Sequence, residues 1–600
     1  MRLGGTPPLS SPGGAPCAAP RGGREPTVPS GSPPVSPRPG CLPVSPTRTL
    51  DADVCVIGAG AGGAVLAAEL AEGGARVVVL EQGARHDPDG FTAQPMEMMA
   101  RLYRDGGQTV TLGAPPVLLP LGRGLGGTTL VNSGTCFRTP AHVLQRWRSE
   151  HGLELDEGEL DRCFARVERA LSVAEVTPEL AGANAAVARR GAERLGWSHG
   201  YLRRNARGCV GSGVCAFGCP TSAKQHTGIT YLPRAEAAGA TILTGADVRS
   251  ILVAGGRALG VRARLGADAR LVSGGSSRRD AGRGGVGGDD TDVGDMSDLV
   301  RDRMAAEEST LGGQLEVRAP HVVVAAGTVH TPLLLARSGL GAASGQLGRN
   351  LVLHPATAAF ALMDEVVDMA RGVPQSFYVD EFASEGIMFE GVAGPPAYAA
   401  LALPLTGARH AAAMANYRHL AQFGLMVSDS SRGSVRVIGA PTPGSPRRGR
   451  MRYRRGMWRA PPLIRYDLVE DDVAKFRAGL ARMEQLFRAA GAREVYLPLP
   501  PGVAPERARA RDLKLMAFHP LGTARANADP ARGVLDPDLR VHGVEGLHVA
   551  DGSVMPSSLG VNPQITIMAL ATRLAYHLLG RMVPNTPPVP DILPVTDTPM

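Results

Sequence analysis

Two short apolar runs, Asp53–Ile57 (DVCVI) and Arg76–Leu80 (RVVVL), have the length and β-branched content of buried strands. The stretch Ala64–Ala71 between them is rich in alanine and leucine and reads as a helix, so this region predicts a βαβ start. Farther along, Ala258–Leu265 and Gln314–Val324 read as the arms of a β-hairpin with a greatly enlarged loop, and His321–Ala326 (HVVVAA) as a buried strand. Three stretches lack periodicity. Residues 1–48 are rich in Pro, Gly and Ser and are expected to be disordered; 266–313 is a low-complexity insertion; 583–600 is a proline-rich tail. The most apolar segment, Ile565–Leu579, carries Arg573 and His577, which argues against a membrane-spanning helix.

A chain of 600 residues exceeds one ordinary domain, and a hydrophobic content of 44% is enough for a large core. The net charge of 64 − 56 = +8 comes from arginines spread along the chain, which does not favour a nucleic-acid partner. One cluster, Arg447, Arg448, Arg450, Arg452, Arg454, Arg455 and Arg459, leaves peripheral association with an anionic membrane open. The N-terminus has no apolar signal region, and the eight cysteines do not form a dense disulfide framework, so a cytoplasmic location is expected.

The first strand runs directly into Gly58-Ala59-Gly60-Ala61-Gly62-Gly63, and the second ends in Glu81. In a dinucleotide-binding unit the first glycine permits the tight turn. The second lets backbone approach a pyrophosphate, and the third allows close helix–strand packing. The helix N-terminus offers free N–H groups to phosphate, and an acid about twenty residues on reaches a ribose hydroxyl. Gly58, Gly60, Gly63 and Glu81 occupy those positions.

Further motifs follow in order. Gly122–Asn132 (GRGLGGTTLVN) is a second glycine-rich loop. After the HVVVAA run comes Gly327–Gly341 (GTVHTPLLLARSGLG), then Gly348-Arg349-Asn350-Leu351 and His354. Near the C-terminal end stand His519-Pro520-Leu521-Gly522-Thr523, Ala550-Asp551-Gly552-Ser553 and Gly560-Val561-Asn562-Pro563-Gln564. With these motifs the chain resembles the glucose–methanol–choline oxidoreductase family from about Asp51 to Leu579, with similarity to its long-chain alcohol oxidase-type members. The resemblance implies an α/β fold: a split Rossmann-type FAD-binding domain plus an α+β substrate domain with an antiparallel sheet. On that basis 49–140 and 205–350 form the FAD-binding domain, 141–204 is a helical connection, 351–518 binds substrate, and 519–582 supplies catalytic and FAD-binding residues. The resemblance also implies that Gly126, Gly127 and Asn132 lie near the isoalloxazine ring and that Asp551 reaches the ribityl–pyrophosphate region. The chain departs from many members in having Ala526-Asn527 after Arg525, where they have Met-Gly, and in having Asn562 where others have histidine.

Oxidising an alcohol removes a hydroxyl proton and a hydride. His519 suits the general base, since imidazole titrates near neutrality, and Asn562 can donate an N–H to the alcohol oxygen. His354 is read as structural. The resemblance implies FAD as cofactor, and Gly122–Pro140 contains no histidine to tether it, so non-covalent binding is expected. Met363, Met369, Phe377, Phe382, Met388, Phe389, Met414 and Phe423 suggest either ordinary core or an apolar lining for a lipophilic alcohol. The electron acceptor is oxygen, an electron-carrier protein or a quinone. Cys209, Cys215 and Cys219 are expected to bind no metal. An iron–sulfur dehydrogenase using an external carrier is one alternative reading, and a flavin-binding protein without turnover is another.

Overall fold

A computed structural model describes residues 47–272, 313–437 and 462–585. The N-terminal segment up to 46, the stretch Ser273–Asp295, the arginine cluster and the tail beyond 585 lie outside the described residues.

The first of two large sheets has the strand order Arg48–Asp51, Gly313–Arg318, Arg257–Val272, Thr241–Ala254, Val77–Leu80, Val54–Ile57, His321–Val324, Leu547–Val549. Its five strands from Thr241–Ala254 to Leu547–Val549 run parallel. Val54–Ile57 and Val77–Leu80 at its centre are wholly apolar, because helices cover both faces of such a sheet and leave no wet side for polar residues. Helix Ala61–Glu72 crosses between the first two core strands and packs against helix Gln564–Leu578. The sheet is thus assembled from segments nearly five hundred residues apart in the chain.

The expected hairpin differs in two ways. The run Gln314–Val324 is broken at Ala319-Pro320. Gly313–Arg318 pairs antiparallel with Arg257–Val272, whereas His321–Val324 returns to the parallel core beside Val54–Ile57. Proline has no N–H for a ladder hydrogen bond, so it separates the two strands. The preceding strand also continues to Val272, where Leu271 and Val272 pair with Leu243 and Ile242. The insertion expected from 266 therefore begins beyond 272.

The second large sheet is mostly antiparallel. Its order is Val117–Leu118, Leu515–Met516, Ala356–Leu362, Leu420–Val427, Ile387–Gly391, Phe377–Val379, His199–Tyr201, with Glu494–Tyr496 also paired to Ala356–Leu362. Helices Pro178–Leu195 and Glu470–Ala489 cover one face. They approach closely: a Cβ on Gly479 would fall 2.7 Å from the Leu425 side chain, and one on Gly191 would fall 2.4 Å from Leu486 O. Alternation along the strands sends Phe423, Leu425 and Phe389 toward those helices, and Gln422, Gly424 and Glu390 to the opposite face. Both 141–204 and 351–518 contribute strands to this sheet.

The methionine and phenylalanine residues weighed as a pocket lining are core. Met363, Met369, Phe377, Phe389 and Phe423 belong to the buried cluster beneath this sheet, Phe382 and Met414 pack against it, and Met388 is buried. None of the eight borders the cavity described below. No helix among the described residues is long and apolar enough to cross a membrane.

Candidate active site

A cavity of about 890 Å³ is bordered by residues of both large sheets. Of the ten site residues expected from sequence, Gly58, Gly60, Glu81, Gly127, Asn132, Asp551, His519 and Asn562 line it; Gly63 and Gly126 do not. The two exceptions act through packing. A Cβ on Gly63 would fall 2.0 Å from Gly58 O, so the helix can approach the strand only with glycine there. Gly126 N–H donates to Ala59 O at 3.0 Å and ties the second glycine loop to the first.

One end of the cavity fits the ADP half of a dinucleotide. Helix Ala61–Glu72 begins after Gly60 with no side-chain cap and no acidic residue in its first turn, so its N-terminal N–H groups and positive dipole end face the cavity without a competing anion. A Cβ on Gly60 would project into open space, its nearest neighbour being Gly127 Cα at 3.9 Å. That gap lets a pyrophosphate approach the backbone. The buried Glu81 carboxylate accepts N–H from Ala59 at 2.9 Å and Gly83 at 2.6 Å. Each oxygen retains a lone pair for a ribose hydroxyl. Desolvation raises its pKa, against the lowering effect of those two bonds. Asp551 is held by Gly327 N–H (2.9 Å), Thr331 Oγ1 (2.5 Å) and Ser553 N–H (2.8 Å), which makes it a fixed corner of the cavity wall.

The other end brings together groups distant in sequence. Asn562 Nδ2 lies 3.4 Å from His519 Nε2 and donates to Glu390 Oε2 at 3.4 Å. Since an amide NH₂ only donates, Nε2 of the facing imidazole is its acceptor nitrogen. Desolvation, aided by the neighbouring His354, pushes the His519 pKa down to about 3, so the ring is neutral. His354 is fully buried with φ of 50°, a left-handed conformation uncommon outside glycine. Its Nε2 accepts N–H from Leu559 (2.8 Å) and Gly560 (3.1 Å), which leaves its proton on Nδ1, 3.4 Å from His519 O. It thereby joins the His519 backbone to the turn preceding Asn562.

Sequence reasoning missed Glu390, Gln375 and Gln422. Gln375 Nε2 donates to Glu390 Oε2 at 2.5 Å, and Thr135 Oγ1 donates to Gln375 Oε1 at 3.0 Å. Burial pushes the Glu390 pKa up to about 7, against the lowering effect of Asn562. A single acid within the apolar strand IMFEG was the available signal, because acids are rarely buried without a purpose.

The cysteine-rich segment braces this end of the cavity. Lys224, fully buried, donates from Nζ to Leu130 O, Asn132 O and Cys215 O at 2.7–2.8 Å. Burial lowers its pKa to about 8. Arg204 holds Ser133 O and donates to Cys215 Sγ at 3.2 Å, while Cys219 Sγ accepts the Lys224 backbone N–H at 3.5 Å. Asn132 donates in turn to Gln564 Oε1. Among the described residues no group of three His, Cys, Asp or Glu side chains is placed to hold a metal.

Known proteins resemble this chain over most of its length. The family models described as GMC oxidoreductase match residues 99–275 with 303–356, and 445–571; a model described as FAD binding domain matches 51–107. A GMC-type oxidoreductase of Mycobacterium tuberculosis is 40% identical over 546 residues, which is 89% of this chain and 76% of that protein. A long-chain-alcohol oxidase of Arabidopsis thaliana is 28% identical over 554 residues, covering 89% of this chain and 68% of the relative. Among solved structures, pyridoxine 4-oxidase from Mesorbium loti superposes with a TM-score of 0.61 at 21% identity, covering 88% of this chain and 99% of its own.

Proposed function

Because this chain belongs to the GMC oxidoreductase family, and is thus an FAD-dependent oxidoreductase acting on CH–OH groups, we propose that His519 and Asn562 are the pair at which it oxidises an alcohol to the carbonyl. The observation that carries this reading is the convergence of the two side chains at 3.4 Å on the cavity wall. FAD, when bound, supplies the hydride acceptor. The neutral imidazole offers Nε2 to the alcohol O–H and takes its proton as the C–H bond breaks. The Asn562 amide donates to the same oxygen while negative charge develops there, and its position costs no reorganisation because Glu390 already holds it. His354 positions the base through its backbone.

The ADP half of FAD is assigned to Gly58, Gly60 and Glu81, and the ring to the side of Gly127 and Asn132. The Asn132 Oδ1 atom, buried and without a protein partner, supports a polar contact there. The long-chain-alcohol oxidase relatives support a small-molecule alcohol as substrate and are compatible with a lipophilic one. The acceptor is oxygen, an electron-carrier protein or a quinone. An anaerobic panel of primary and secondary alcohols, read by bleaching of the flavin band, tests the reading. At least one alcohol bleaches the parental protein; a flavin that none reduces would overturn it. Re-oxidation by air, set against re-oxidation by a quinone, then identifies the acceptor.

A further inference from the structure

Glu390 is 6% exposed and follows Ile387, Met388 and Phe389 in the buried strand Ile387–Gly391. Its Oε2 accepts from Gln375 and Asn562, both N–H donors. Its Oε1 is buried with no protein partner, and among the described residues no Lys, Arg or His side chain pairs with the carboxyl. A carboxyl left this way costs folding free energy that a Leu or Met there would avoid. Holding Asn562 and Gln375 accounts for Oε2, whereas the protein supplies no partner for Oε1.

The register shows what surrounds Glu390. Glu390 lies directly opposite Gly424, with Gln422 and Met426 two positions to either side on the same face. Glycine at 424 puts no side chain of its own opposite Glu390, and the nearest side-chain atom to that position is Val392 Cγ1, 3.5 Å from where a Cβ would stand. Beyond it Gln422 is 1% exposed, and its Oε1 also lacks a partner. The cavity wall next to the reacting pair therefore contains two buried acceptor oxygens without a protein partner. Both Glu390 and Gln422 border the same cavity as His519 and Asn562.

From this arrangement we infer that the substrate is an alcohol carrying a second hydrogen-bond donor, a hydroxyl or an amine a few bonds from the carbinol, which Glu390 Oε1 binds while Asn562 and His519 engage the reacting oxygen. Glu390 is thus a substrate-recognising residue. A monofunctional aliphatic alcohol leaves its oxygen unpaired and binds less well. A site built to receive a donor discriminates strongly against the analogue that lacks one. The inference rests on the alcohol-oxidation reading above.

Three alcohols of equal heavy-atom count test it: pentan-1-ol, butane-1,4-diol and 4-aminobutan-1-ol. Each is titrated anaerobically into the holoenzyme and read twice, by the spectral perturbation of the flavin on binding and by the rate of its bleaching. At least one donor-bearing alcohol half-saturates at a concentration about 10- to 100-fold below that of pentan-1-ol. Preference for the amine identifies an ionised Glu390, and preference for the diol a protonated one. Glu390→Met, or Glu390→Leu if the first variant lacks flavin, removes the acceptor and brings the ratio between the alcohols toward unity whatever it does to absolute rates. Equal or tighter binding of pentan-1-ol by the parental enzyme overturns the inference, as does a preference that survives both variants. If no alcohol bleaches the flavin while the Glu390-dependent binding preference persists, the oxidation reading fails and the recognition stands. If none of the three perturbs the flavin, the recognition fails.

Discussion

His519 Nε2 stands 3.4 Å from Asn562 Nδ2, although 43 residues separate the two in the chain. Both come from irregular segments beside the cavity: His519 follows the short strand Leu515–Met516, and Asn562 precedes helix Gln564–Leu578. Loops on a rigid scaffold commonly carry reacting groups, and here His354 fixes one against the other by bonding both segments.

If these two residues share the work, His519→Ala keeps its flavin but is reduced by substrate about 10²- to 10⁴-fold more slowly. Asn562→Ala loses roughly 10²- to 10³-fold, the scale of one donor to a developing oxyanion. Stopped-flow bleaching under anaerobic conditions measures both. Reduction of the His519 variant at the parental rate would remove it from the chemistry.

The two glycines of the first loop should fail differently. Gly63→Ala places a Cβ 2.0 Å from Gly58 O, so backbone must move and the fold itself weakens, by about 1–3 kcal/mol or more. Gly60→Ala projects a methyl into the cavity with no protein atom closer than 3.9 Å. That variant folds normally but binds FAD less tightly. Melting temperature and flavin-to-protein ratio, measured for both, separate the two effects.

Glu390 makes stability depend on pH with a defined sign. Its pKa lies at about 7 in the folded protein against an ordinary value of 4.5. The folded state therefore holds this proton more tightly, and ionisation costs folding free energy. The cost is absent below about pH 4.5, grows between there and pH 7, and is complete above, at about 3 kcal/mol. Glu390→Gln carries no such ionisation. Its melting temperature relative to the parent should rise between pH 4.5 and pH 8. A difference that stays constant, or reverses, would contradict the burial of an unpaired acid.

Flavin attachment has a simple test. Non-covalent binding means that acid precipitation releases the yellow colour into the supernatant. The expectation came from the absence of histidine in Gly122–Pro140, yet the fold brings His330 to the wall of the same cavity. Colour retained in a washed pellet, and lost from His330→Ala, would assign a covalent link to that residue.

What was legible in the sequence is what local chemistry dictates. Val54–Ile57, Val77–Leu80 and the glycines between them declare a βαβ unit, because a strand buried on both faces must be apolar and a phosphate-binding turn must lack side chains. His519, Asn562 and Asp551 could be named as candidates because the motifs that carry the resemblance are contiguous. Other features belong to the tertiary structure alone. Whether a phenylalanine of the second sheet faces helix or cavity depends on strand register, which a one-residue shift reverses, so Phe423 became core while its neighbour Gln422 reached the site. Pro320 split one apolar run into strands serving different parts of the first sheet. In the sequence Glu390 is merely an acid within an apolar strand; folding puts Asn562, 172 residues away, and Gln375 on one of its oxygens and leaves the other buried without a protein partner. A carboxyl's burial and partners are set by segments remote in the chain, and they determine its protonation and its use.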